Sequence, residues 1–89
     1  MKEIRFSPEK SIELKQVRGA SFEELICSGF IGIERHTKRE HQNLMLFEHQ
    51  GYVWVAPYVE TDEYYFLKTA FPSRKHTKKY LGGKTRDQN

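Results

Sequence analysis

Cleaving a phosphodiester without a metal takes a base, an acid, and cations around the crowded phosphate. Residues 71–81, FPSRKHTKKYL, set Arg74, Lys75, Lys78 and Lys79 around His76, Thr77 and Tyr80. A second set, Glu34, His36 and His41, lies in or beside a polar stretch at 35–43. Arg74 is the first candidate, because a guanidinium fork matches phosphate geometry and stabilises the charge that builds during transfer. His36 is the best general acid or base by intrinsic pKa, and Glu34 is the alternative base. Tyr80 can orient a phosphate or stack a base. Lys75, His76, Lys78, Lys79, His41 and Lys68 are candidate RNA contacts. Singly, each is an ordinary surface residue, so the case rests on their clustering.

Other chemistries find little support. His36 and His41 stand five apart, with no HExxH, paired cysteines or Asp cluster to make a metal site. Gly82-Gly83 lacks the frame of a phosphate-binding loop, and Cys27 has no neighbouring motif that would make it a nucleophile. No metal and no cofactor is expected. Cys27 reads as a buried thiol on a helix, in a reducing compartment.

The chain has 89 residues, enough for one domain with a compact core. No apolar run is long enough to span a bilayer, and charges occupy the first ten residues where an export signal needs its apolar region. The cytoplasm is the expected compartment. Net charge is +3 but unevenly placed. Residues 1–71 carry nine Lys/Arg against eleven Asp/Glu, and residues 72–89 carry six against one. Localised positive charge of this kind suits a polyanion.

The elements that must position these residues follow from local pattern. Lys2 to Phe6 alternates as a strand. Ser7-Pro8-Glu9 starts a helix that stops at Gly19, and Ser21 with Glu24 makes a capping box for a second helix closed by Gly29. Four strands follow at 30–35, 44–48, 52–59 and 64–71, with a tight turn at His49-Gln50-Gly51. Ser73 caps a final helix with Leu81 as its anchor, and residues from Gly82 on are expected to fray. The expected fold is therefore α+β, in the order β-α-α-β-β-β-β-α. Two N-terminal helices pack on one face of an antiparallel sheet, and a short basic helix ends the domain. Residues 1–81 form that domain and 82–89 a tail.

Strand 52–59 has two unlike sides. Val53, Val55 and Val59 point one way, and Tyr52, Trp54, Ala56 and Tyr58 the other. The aliphatic side is expected to meet the helices. Trp54 and Tyr58 would then lie on an open face and stack bases of single-stranded RNA. Pro57 suggests an edge strand or a bulge.

Residues 6–24, FSPEKSIELKQVRGASFEE, resemble the N-terminal signature of BrnT-type toxins at Phe6, Lys10, Gly19, Ser21, Phe22, Glu23 and Glu24. The likeness continues through YVETDEYYFLKTAFPSRKHTKKY at 58–80, so its two parts span nearly the whole chain from end to end. Ser7, Leu14 and Arg18 stand where the family carries Asp, Asn and His. The resemblance implies a RelE-like fold and a toxin of a type II toxin–antitoxin pair that cleaves RNA without a metal. It also implies a small antitoxin partner with a ribbon-helix-helix or similar DNA-binding domain, and operator DNA bound only through that complex. The competing reading is a non-catalytic module that holds nucleic acid or protein with the aromatic face and the basic helix.

Overall fold

The computed structural model describes residues 2–35 and 43–85. Strand β1 (Glu3–Phe6) leads into helices α1 (Pro8–Arg18) and α2 (Phe22–Ser28). Strands β2 (Phe30–Arg35), β3 (Asn43–His49), β4 (Tyr52–Glu60), β5 (Tyr64–Leu67) and β6 (Phe71–Pro72) follow, and helix α3 (Arg74–Thr85) comes last.

Both N-terminal helices start and stop where their caps dictate. The Ser7 side chain accepts the Lys10 amide, Pro8 occupies the first turn, and Gly19 closes α1 at φ 98°. That left-handed backbone is easy for glycine and lets its amide reach the carbonyls of Leu14 and Lys15. Two residues later Ser21 accepts the Glu24 amide while the Glu24 carboxylate accepts the Ser21 amide, a complete capping box. Ser11 ties the two helices together, since its hydroxyl accepts the Phe22 amide at 3.0 Å and donates to Glu23.

The sheet runs β1-β5-β4-β3-β2, with β6 paired to β4. Contiguous pairs are antiparallel, but β1 pairs parallel with β5, matching Ile4 to Tyr65 and Phe6 to Leu67. The sheet is therefore mixed rather than wholly antiparallel. The β3–β4 hairpin turns on Gln50 and Gly51 at φ 54° and 79°, the left-handed pair that a two-residue hairpin requires. The expected strand over 64–71 is broken at Lys68–Ala70. β5 pairs with Tyr58–Glu60, whereas β6 pairs with Trp54 and Val55. Pro57 sits at this change of partner, inside a central strand rather than at an edge. Only its carbonyl is used on that side, by the Lys68 amide at 2.9 Å, so the missing proline N–H costs no ladder bond there.

The core reverses the expected assignment of faces. Trp54, Ala56 and Tyr58 pack with Phe22, Leu25, Met45, Phe47 and Leu67 beneath α1 and α2. Trp54 is 6% exposed and Tyr58 3%. Large rings remove more apolar area from water than valines do, so the helices cover the aromatic side. Val53 and Val55 face the other way and are buried too, with Leu46 and Leu81. That second face is not left open, because α3 lies across it. Base stacking by Trp54 and Tyr58 is thus ruled out in this fold.

Two further expectations fail. Cys27 is exposed, as it lies off the Phe22–Leu25 stripe of α2. Helix α3 continues through Gly82 and Gly83 to Thr85, beyond the expected end at Leu81. Gly82 is buried close to Lys78.

Candidate functional site on β2 and α3

Helix α3 is fastened at its first turn. The Ser73 amide donates to the Val53 carbonyl at 2.9 Å, and the Thr77 hydroxyl accepts the Val53 amide at 2.8 Å. The helix start thereby takes the place of a strand partner for β4. Thr77 also donates, through its amide and its hydroxyl, to the Ser73 carbonyl. Buried Leu81 holds the helix one turn further on.

Strand β2 reaches this helix by means of an irregularity. Phe30 is opposite Phe47, yet Gly32 is opposite Leu46 and Glu34 opposite Leu44. Strand β2 therefore advances two residues while β3 advances one, which is a β-bulge. Phe30 stays beside Phe47 on the α1/α2 side, where the two rings meet edge-on at 5.9 Å. Glu34, which simple alternation would place on the same side as Phe30, comes out on the α3 side.

There Glu34 meets three donors from α3. Its Oε1 lies 3.0 Å from His76 Nε2, and its Oε2 accepts from Lys79 Nζ at 2.9 Å and Tyr80 Oη at 2.7 Å. The spacing of 76, 79 and 80 puts these side chains on one helical face. The rings of His76 and Tyr80 are parallel within 7°, with centroids 6.4 Å apart. The Lys79 and Tyr80 hydrogen bonds, with a further one from His76, hold the Glu34 carboxyl down at about 2 against partial burial. The same carboxylate raises the pKa of Lys79 and keeps the Tyr80 phenol protonated further up the pH scale. Behind His76, the Ser73 hydroxyl accepts the His76 amide at 3.1 Å and sits 2.7 Å from His76 Nδ1.

The sequence candidates divide accordingly. Glu34, His76, Lys79 and Tyr80 form one cluster, with Arg74, Lys75 and Lys78 exposed on the same helix. Lys68 is exposed just past β5. Glu34, Leu44 and Pro57 form one cross-strand row, and Lys68 bonds to Pro57, so Lys68 lies about three strand spacings or roughly 14 Å from Glu34. His36 and His41 fall outside the described residues. Trp54 and Tyr58 belong to the core. Sequence pattern marks Ser73 only as a cap and His76 only as an RNA contact; the spacing of three between them is the signal for their pairing.

The cluster can do acid–base chemistry. A carboxylate offers about four lone-pair positions, and three are taken here, leaving one on Oε1 for a substrate hydroxyl. His76 carries a transferable proton at hydrogen-bond distance from that oxygen. Lys79 and Tyr80 are donors ready for an anion. A cleft of about 580 Å³ beside Ser28, Phe30, Glu48 and His49 is lined by no Lys or Arg, which leaves it unsuited to a phosphodiester. Among the described residues, no group of His, Cys, Asp and Glu could hold a metal ion, and no helix is long and apolar enough to cross a membrane. No family model, no curated protein and no solved structure matches this chain.

Proposed function

We propose that the protein is a metal-independent endoribonuclease whose reacting groups are Glu34 and His76. The observation that carries the reading is the 3.0 Å contact between Glu34 Oε1 and His76 Nε2, flanked by Lys79 and Tyr80 on a basic helix. In the proposed reaction Glu34 takes the ribose 2′-OH proton on its open Oε1 position. The 2′-oxygen attacks the phosphorus, and the bond to the 5′-oxygen breaks. Doubly protonated His76 gives its Nε2 proton to that leaving oxygen, so the products are a 2′,3′-cyclic phosphate and a 5′-hydroxyl. Glu34 then returns the captured proton to Nε2. Arg74 clamps the phosphate.

The low basicity of Glu34 at rest fits this cycle. Two of the three bonds that depress it come from Lys79 and Tyr80, the donors a bound phosphate would recruit. Phosphate binding then makes Glu34 a stronger base when the 2′-OH is in place.

The biological reading is the toxin of a type II toxin–antitoxin pair in the cytoplasm, with a RelE-like fold. It is supported by the BrnT-type resemblance at 6–24 and 58–80 and by the positive charge of α3. The partner would be a small antitoxin with a ribbon-helix-helix or similar DNA-binding domain, bringing operator DNA only through the complex. The purified protein is expected to cleave RNA in EDTA. RNA left intact by the folded wild-type protein would refute the enzymatic reading, and would favour a module that only binds.

A further inference from the structure

Ser73 is placed to do more than cap α3. Its hydroxyl accepts the His76 amide at 3.1 Å and lies 2.7 Å from His76 Nδ1, while Nε2 of the same ring lies 3.0 Å from Glu34 Oε1. An ionised carboxylate only accepts, so Nε2 must carry a proton whenever that bond is made. In the neutral ring Nδ1 is then a bare acceptor, and the Ser73 O–H must donate to it. In the doubly protonated ring Nδ1–H donates instead, and the Ser73 oxygen takes it on its second lone pair, the first being held by the His76 amide. A hydroxyl can serve both states because it is donor and acceptor at once and rotates freely. At this position of a helix cap only a Ser or Thr hydroxyl combines the two roles with such short reach.

We infer that Ser73 is a positioning residue that follows His76 through its changes of protonation, keeping Nδ1 hydrogen-bonded in every state and Nε2 aimed at Glu34. The inference rests on the proposed reaction, where His76 must pass from doubly protonated to the Nδ1–H form when it releases the Nε2 proton. In that form Ser73 accepts. Ser73 still accepts when Glu34 returns its proton to Nε2; when hydroxide removes Nδ1–H, the neutral ring stays bonded to Glu34 through Nε2–H and Ser73 donates. Among the described residues, the groups that face the ring are Glu34 from β2, Ser73 at the entry to α3 and the stacked Tyr80 from α3, with Lys79 sharing the same carboxylate.

The test separates this role from capping and from catalysis. Ser73→Gly caps nearly as well but has no hydroxyl, Ser73→Thr keeps both functions, and Ser73→Asp caps but can only accept. Ring-nitrogen NMR of the full chain without RNA reads the tautomer directly. The wild type and Ser73→Thr are expected to show a neutral ring protonated at Nε2 at high pH. Ser73→Asp is expected to retain Nδ1–H instead. With RNA, Ser73→Gly is expected to lose kcat on the order of tenfold with KM unchanged, and Ser73→Thr to restore it. A wild-type neutral ring protonated at Nδ1, or a Ser73→Asp ring identical to wild type, overturns the inference even if RNA is cleaved. If the NMR result holds but RNA is never cut, the tautomer control stands and the ribonuclease reading fails.

Discussion

Glu34 and His76 are 42 residues apart in the chain, yet Oε1 of one lies 3.0 Å from Nε2 of the other. Two non-local features make the contact. The bulge at Phe30–Gly32 turns Glu34 toward α3, and the bonds from Ser73 and Thr77 to Val53 hold α3 against the sheet.

Replacing the carboxylate is the first consequence to measure. Glu34→Gln keeps the size of the side chain but removes the base and the strong acceptor for Lys79 and Tyr80. RNA cleavage is expected to fall by about 10²- to 10⁴-fold, the usual share of a general base. A thermal melt should show the same variant modestly less stable, because the exposed Lys79 and Tyr80 contribute about 1 kcal/mol or less each and the part-buried His76 bond is weakened as well.

Acid stability follows from the same carboxyl. Its pKa is depressed to about 2 in the folded protein from an ordinary value of 4.5. The unfolded chain therefore binds this proton at higher pH than the folded one, and the contribution to stability is full above the ordinary value. It is lost as pH falls through about 2. Denaturation by urea at a series of pH values should show wild type ahead of Glu34→Gln near neutrality, with the gap closing toward the acid end. A gap that widened on acidification would contradict the assignment.

Arg74 is exposed on α3. Arg74→Ala is expected to leave the melting curve unchanged while reducing cleavage and RNA affinity. Full cleavage by the folded variant, and full growth arrest in cells, would remove Arg74 from the mechanism.

Trp54 belongs to the core and not to an RNA surface. Trp54→Ala is expected to cost about 3–5 kcal/mol of stability, as large-to-small core changes do. Chemical denaturation measures it. At temperatures where that variant remains folded, its RNA affinity should match wild type.

Local chemistry was readable from the sequence and long-range choice was not. Ser7, Pro8, Gly19 and the Ser21–Glu24 box act within one helical turn, and each sits where its residue type demands. Gln50-Gly51 likewise marks its own hairpin. The side of β4 that would meet α1 and α2 could not be read from alternation, since both sides are apolar and both are covered, the second by α3. The same limit hid the split between β5 and β6, which depends on how Pro57 divides the partners of β4. In the site, the positive helix and the candidate Glu34 were visible, whereas their meeting depends on a one-residue bulge whose mark in the sequence is Gly32 within the strand. His76 was visible as a residue but its role was not, because its partner comes from a distant strand.

The central claim is that Glu34 and His76 act as one proton-transfer unit, and a double-mutant cycle on RNA cleavage in EDTA tests it most directly. Glu34→Gln, His76→Ala and the double variant are compared with wild type by rate and by product ends. Residues acting as a unit are not additive. The double variant is expected to be about as slow as the worse single variant, and the wild type to leave 2′,3′-cyclic phosphate. Losses that multiply, or cleavage products with a 3′-hydroxyl, would contradict it.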